Sequence, residues 1–181
     1  MPVTIDGTTG VSPVQNNTIT SAKVVDASLV QADLALNVAT TGPAFSVTQG
    51  ATITLTANGN TKCVLNTEEY DTANCFDAVT NYRFQPLVAG YYQINALISA
   101  QTVNTGNCII PYLYKNGSLS RIGTIAWAGP GAYPYTTGSW LLYMNGSTDY
   151  LELYVSLVGP TCLGAAGFAA MALQGFLARS A

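Results

Sequence analysis

From Phe45 onward apolar and polar side chains alternate with a period of two, the repeat of a strand that buries one face and exposes the other. Ala51-Thr-Ile53-Thr-Leu55-Thr alternates small apolar residues with threonine and runs into Asn58-Gly59. Tyr92, Ile94, Ala96 and Ile98 make one largely aliphatic face, opposed to a mixed face of Tyr91, Gln93, Asn95 and Leu97. Ile109 to Lys115 and Leu119 to Ile125 flank Asn116-Gly117, while Trp140 to Met144 and Tyr150 to Val158 flank Asn145-Gly146. Asn-Gly is favoured where both central turn residues need positive φ, so both dipeptides predict hairpins. Many short strands joined by such turns predict an all-β, antiparallel sandwich, jelly roll or barrel with almost no helix.

Residues 1–41 break this pattern. They carry no aromatic residue, and small aliphatics punctuate a run of Thr, Ser, Asn, Asp and Gly. Ile19-Thr-Ser-Ala22-Lys-Val24 lines up with Leu29-Val-Gln-Ala32-Asp-Leu34 in a weak ten-residue repeat. One copy of such a segment cannot bury enough surface to offset the entropy of ordering its backbone. Two readings follow. One is a disordered or partly helical arm, with two or three turns over Ser28 to Asn37; the other is a stalk whose core three chains supply together, or an arm docked on another protein. The burial argument favours the second, and divides the chain into an N-terminal anchor or stalk (1–41) and a head (42–181).

Composition sharpens the picture. Only 8% of residues are charged, against 49% hydrophobic, and tyrosine occurs eleven times. So little charge leaves a lone surface poorly solvated, which implies burial against other subunits. The six basic residues, Lys23, Lys62, Arg83, Lys115, Arg121 and Arg179, are scattered, and the net charge is −3, so no nucleic-acid partner is expected. No basic n-region with an apolar h-region opens the chain, so no cleavable secretion signal is expected. Leu163 to Ala178 is nearly all apolar, but it is short for a spanning helix and is interrupted by Gly164, Gly167, Gln174 and Gly175. Membrane insertion is therefore not expected, and a buried strand fits the segment equally well. Cys63, Cys75, Cys108 and Cys162 form no CxxC pair; they read as structural thiols or disulfides, with three pairings open.

Catalytic chemistry finds little to stand on. The chain has no histidine, and its carboxylates gather only at Glu68, Glu69, Asp71 and Asp77 and at Asp149 and Glu152. Neighbours in a strand point to opposite sides, so Glu68 and Glu69 do not make a glycosidase pair. Glu68, Glu69 and Asp71 are instead candidate calcium ligands, set against the plainer reading of solvated loop charges; no other cofactor is expected. Ala128-Gly-Pro-Gly-Ala-Tyr133-Pro-Tyr135 lacks the lysine and helix of a phosphate loop. It reads as an exposed loop on which Trp127, Tyr133 and Tyr135 stack on sugars or meet a protein. Tyr91, Tyr112, Tyr114, Tyr150 and Tyr154 carry more ring area than one small interior holds, which makes them candidates for a homotrimer interface. The alternative is that these rings coat a monomer.

Particular residues resemble a known pattern. Val64-Leu-Asn66-Thr-Glu-Glu-Tyr70-Asp71 leads through Asn74 and Phe76-Asp77 to Phe84-Gln-Pro86-Leu-Val-Ala-Gly90-Tyr91-Tyr92; Leu113-Tyr-Lys-Asn-Gly117 and Gln174-Gly-Phe-Leu177 follow. In this order they resemble the globular-head family of complement component one, subcomponent q, over about Ala44 to Arg179. The resemblance implies a jelly roll of the tumour-necrosis-factor-like type. The collagen stalk of the animal proteins is absent, and the cysteines follow no pattern of the family. The opening Val3-Thr-Ile-Asp-Gly-Thr-Thr-Gly-Val-Ser12 and the Ile19 repeat resemble leading segments of bacteriophage fibre and virion proteins. Together they imply a non-enzymatic virion protein with a trimeric head, of capsid-decoration or fibre type. It would assemble in the bacterial cytoplasm, attach to other virion proteins through its arm, and reach a host-surface glycan or protein. A tail-fibre receptor-binding tip, a secreted carbohydrate-binding lectin and a glycan-degrading spike enzyme are the alternatives.

Overall fold

The computed structural model describes residues 5–6, 10–11, 42–101, 103–131, 133–165 and 171–181. The chain divides into two compact units, Met1–Thr41 and Gly42–Ala181. In the first, β1 (Ile5–Asp6) pairs antiparallel with β2 (Gly10–Val11). The ten-residue repeat, the helical alternative over Ser28 to Asn37 and the rest of the arm lie outside the described residues.

The second unit contains β3 (Ala44–Thr48), β4 (Ile53–Leu55), β5 (Gly59–Lys62), β6 (Thr67–Asp71), β7 (Phe76–Asp77), β8 (Arg83–Phe84) and β9 (Gly90–Gln101). There follow β10 (Cys108–Lys115), β11 (Ser118–Ile122), β12 (Ala126–Trp127), β13 (Tyr135–Met144), β14 (Leu151–Val158), β15 (Cys162–Gly164) and β16 (Ala172–Ser180). Among the described residues there is no helix, so the expected all-β, antiparallel class holds. One sheet runs β11-β10-β14-β8-β7, with β12 on β10 and β5 on β14; the other runs β4-β15-β9-β16-β3-β6, with β13 on β9.

The last strand in sequence is thus interior in space. β16 lies between β3 and β9, and a Cβ on its Gly175 would sit only 2.6 Å from Ile94 Cδ1 and 2.8 Å from Phe45 Cε1. The Leu163 to Ala178 segment contains most of β15 and of β16, with residues 166–170 between them outside the described ones. Both sheets contribute to one core, in which the Phe45 ring stacks on Phe84 at 4.3 Å and Phe76 at 5.5 Å. Tyr92 meets Phe84 edge-on at 5.3 Å and donates its hydroxyl to Val88 O at 2.8 Å. Burial, helped by Cys75, pushes the Tyr92 phenol up to about 12. All four cysteines are free and buried, and burial raises each thiol above its ordinary range.

The Asn-Gly dipeptides divide into two cases. Asn116 (φ 53°) and Gly117 (φ 76°) close the β10–β11 hairpin as expected. Asn145-Gly146 does not close a hairpin, because β13 pairs with β9 and β14 with β10, in different sheets. Asn145 Oδ1 instead accepts from the amides of Ser147, Thr148 and Asp149 at 3.0 Å each, turning the chain from one sheet to the other. Asn58-Gly59 makes a similar passage from β4 to β5; Asn58 donates its amide to Gly159 O at 3.0 Å and accepts from Gly159 N at 2.9 Å. Positive φ answers the local tightness of a turn, whether or not the strands beside it pair.

Candidate subunit interface on the second sheet

β9 is the axis of the candidate site. It pairs with β13 along Gly90 to Ser99 and with β16 along Gly90 to Leu97, so their outward side chains fall into rows. Tyr91 stands opposite Tyr143, Gln93 opposite Leu141 and Phe176, Asn95 opposite Ser139 and Gln174, and Leu97 opposite Thr137 and Ala172. The alternation of β13 is complete, with every second residue from Tyr135 to Tyr143 exposed.

Large apolar surface faces solvent here: Tyr91 is 45% exposed, Tyr143 43%, Leu141 56% and Phe176 49%. Tyr91 and Tyr143 meet edge-on at 5.6 Å. In the middle lies a neutral polar cluster. Gln93 Nε2 donates to Ser139 Oγ at 2.9 Å and to Asn95 Oδ1 at 3.2 Å, and Ser139 Oγ donates to Asn95 Oδ1 at 2.9 Å. Beside it the short side chains of Thr137, Ser139 and Ala172 leave a shallow trough of about 430 Å³, bounded by Leu97 and Gln174. Across β9, β13 and β16 the one charged residue is Arg179, at the end of the sheet beside Tyr91.

The five tyrosines singled out from the sequence do not share a surface. Tyr91 belongs to the face just described. Tyr112, Tyr114 and Tyr154 lie on the outer face of the other sheet, where Tyr114 and Tyr154 stack at 4.2 Å and Asn60 Nδ2 donates to Tyr114 Oη at 3.0 Å. Tyr150, just before β14, sits beneath the Arg83 guanidinium, which is 4.5 Å from its ring centre. This second face is charged: Lys62 and Glu152 pair across it at 2.5 Å. Burial, with the Glu152 charge, raises the Tyr154 phenol. Tyr143, Leu141 and Phe176 escaped the sequence reading, since their place beside Tyr91 depends on which strands flank β9.

The acidic group is dispersed. Asp71 turns inward on its own loop, accepting from Ala73 N at 3.2 Å, Cys75 Sγ at 3.3 Å and Phe76 N at 2.7 Å. Glu68 stands opposite Val47, and Glu69 is the extra residue where the β3–β6 register shifts. Among the described residues no group of three His, Cys, Asp or Glu side chains is placed to hold a metal ion. The stretch from β12 to the start of β13 does present its rings: Trp127 is 65% exposed, with Tyr133 and Tyr135 also open to solvent. Its backbone is tethered at both ends, Ala128 N donating to Asn107 O at 2.8 Å and Ala100 N to Pro134 O at 3.3 Å.

No protein-family model matches the chain, and no curated protein matches it either. Solved structures do. Murine APRIL at pH 5.0 superposes with a TM-score of 0.57 at 9% identity, over 75% of this chain and 98% of that one. Eiger TNF from S. frugiperda gives 0.54 at 8% identity, over 77% of this chain and 94% of the other. The head is a tumour-necrosis-factor-like jelly roll. Identities this low establish the fold and nothing finer. Within this jelly roll the uncharged face of β9, β13 and β16 and the ion-paired face of β10 and β14 lie on opposite sides of the shared core.

Proposed function

We propose that this chain is a non-enzymatic structural protein of a bacteriophage virion, a homotrimer of capsid-decoration or fibre type. Its head closes around a threefold axis through the outer face of β9, β13 and β16. The observation that carries the assembly is that face: large exposed rings and aliphatics around a neutral polar centre, with charge only at the Tyr91 and Tyr143 end, where Arg179 and the Lys115 ammonium lie. Identical charged faces repel, whereas a neutral apolar face gains by covering itself with its own copies. The threefold number and the virion setting are supported by the sequence resemblances, the head motifs for the first and the Val3 to Ser12 and Ile19 segments for the second. The arm fastens the head to other virion proteins, and the exposed Trp127, Tyr133 and Tyr135 are suited to stacking on a host-surface glycan or protein.

Multi-angle light scattering of the purified chain tests the assembly. A mass of three chains at micromolar concentration is expected, and a monomer there rejects it. Cryo-microscopy of the particle whose genome encodes the chain tests the setting; density for the jelly roll on capsid or fibre is the expected result, and its absence from the particle overturns the reading.

A further inference from the structure

We infer that the Gln93–Asn95–Ser139 cluster, with Gln174 beside it, selects the stoichiometry and register of the contact between copies. This rests on the reading that the β9, β13 and β16 face is that contact. The apolar part of the face, Tyr91, Tyr143, Leu141 and Phe176, attracts without direction and tolerates many crossing angles and more than one number of partners. The amides do not. Among the described residues Gln93 Oε1, Asn95 Nδ2 and the whole Gln174 side-chain amide have no hydrogen-bond partner, while Gln93 Nε2, Asn95 Oδ1 and Ser139 Oγ satisfy one another.

Each copy thus offers spare acceptors and spare donors in the middle of an apolar surface, and a second copy offers the complementary set. Covering the face in an arrangement that brings these groups within about 3 Å of their counterparts satisfies them. Any other arrangement buries them unpaired, at a desolvation cost that only the matched geometry escapes. The cluster acts on the alternatives more than on the favoured state, as a single buried asparagine does in setting coiled-coil register. Because the groups are neutral, they impose this choice without like-charge repulsion between identical subunits.

The test compares the full chain with Gln93→Leu, Asn95→Leu and Ser139→Ala combined, by sedimentation velocity and light scattering across a hundredfold concentration range. Circular dichroism confirms that the variant folds, and Asn95→Leu alone serves if the triple variant does not. Wild type is expected as one discrete three-chain species. The variant is expected to remain associated but to spread over dimers, trimers and larger species. A variant that stays a single three-chain species overturns the inference and leaves the interface standing; so does one that becomes monomeric, because the cluster would then supply adhesion. A monomeric wild type removes the interface reading itself, and the inference with it.

Discussion

At the scale of single residues, two positions show how local chemistry fixes this head. Gly138 faces the core in β13, where a Cβ would run into the Trp140 indole, whose Nε1 donates to Ile122 O at 3.2 Å. Gly138→Ala is expected to displace the indole and lower stability by about 1–3 kcal/mol, the usual cost of overpacking. Thermal unfolding followed by tryptophan fluorescence measures this, and an unchanged midpoint contradicts it. Asp149 joins the β10–β11 turn to the passage into β14. Lys115 Nζ lies 2.8 Å from it, Asn116 Nδ2 donates at 2.7 Å and Asn145 N at 3.0 Å. Burial alone would raise its carboxyl, but these donors outweigh burial and hold it below the ordinary value. A depressed folded value gives stabilisation that is present above the unfolded value, about pH 4, and is lost as pH falls through the lower folded one. Asp149→Asn should therefore lower the unfolding midpoint at neutral pH, with the gap from wild type narrowing below about pH 4. A gap constant with pH would show that the ionised carboxylate is not the stabilising group.

At the scale of elements, strands were legible and their partners were not. Period-two alternation marked β9 and, from Trp140 to Met144, the second half of β13, because a strand's facing is decided by its own sequence. Pairing is decided elsewhere. Asn145-Gly146 has the composition of a hairpin, yet its flanking strands belong to different sheets, and nothing within Trp140 to Val158 records that β9 and β10 already occupy the adjacent positions. The same limit hid the site: Phe176 and Leu141 come together only because β16 and β13 both flank β9. Short elements were harder still. β8 has only two residues, yet its Phe84 is fully buried between Phe45 and Tyr92. Phe84→Ala is expected to cost about 3–5 kcal/mol, because neighbouring strands cannot close over a missing ring. Urea unfolding gives the figure, and a loss under about 1 kcal/mol would mean the stack is not a keystone of the core.

At the scale of the whole molecule, the sparse charge of the sequence argues for a covered surface without saying which. Rings occur on both sheets, so aromatic content alone could not choose. The faces differ in where the few ionic groups sit: Lys62 and Glu152 mark one, while β9, β13 and β16 stay neutral as far as Arg179. That difference emerges only once register places Lys62 opposite Tyr154 and Leu141 opposite Gln93. It also gives the sharpest test of which face meets its copies. Leu141 is more than half exposed, so Leu141→Asp should leave the folded subunit nearly as stable as before. Around a threefold axis the same change sets three carboxylates into a contact whose strands carry no cation before Arg179, the Lys115 ammonium beside Tyr143 being already paired with Asp149, and burying unpaired charge is costly. The variant should run as a folded monomer in light scattering. Lys62→Ala, on the other outer face, should keep the mass of wild type. The opposite result, an assembly broken by Lys62→Ala and indifferent to Leu141→Asp, would move the interface to the Tyr112, Tyr114 and Tyr154 side of the sandwich.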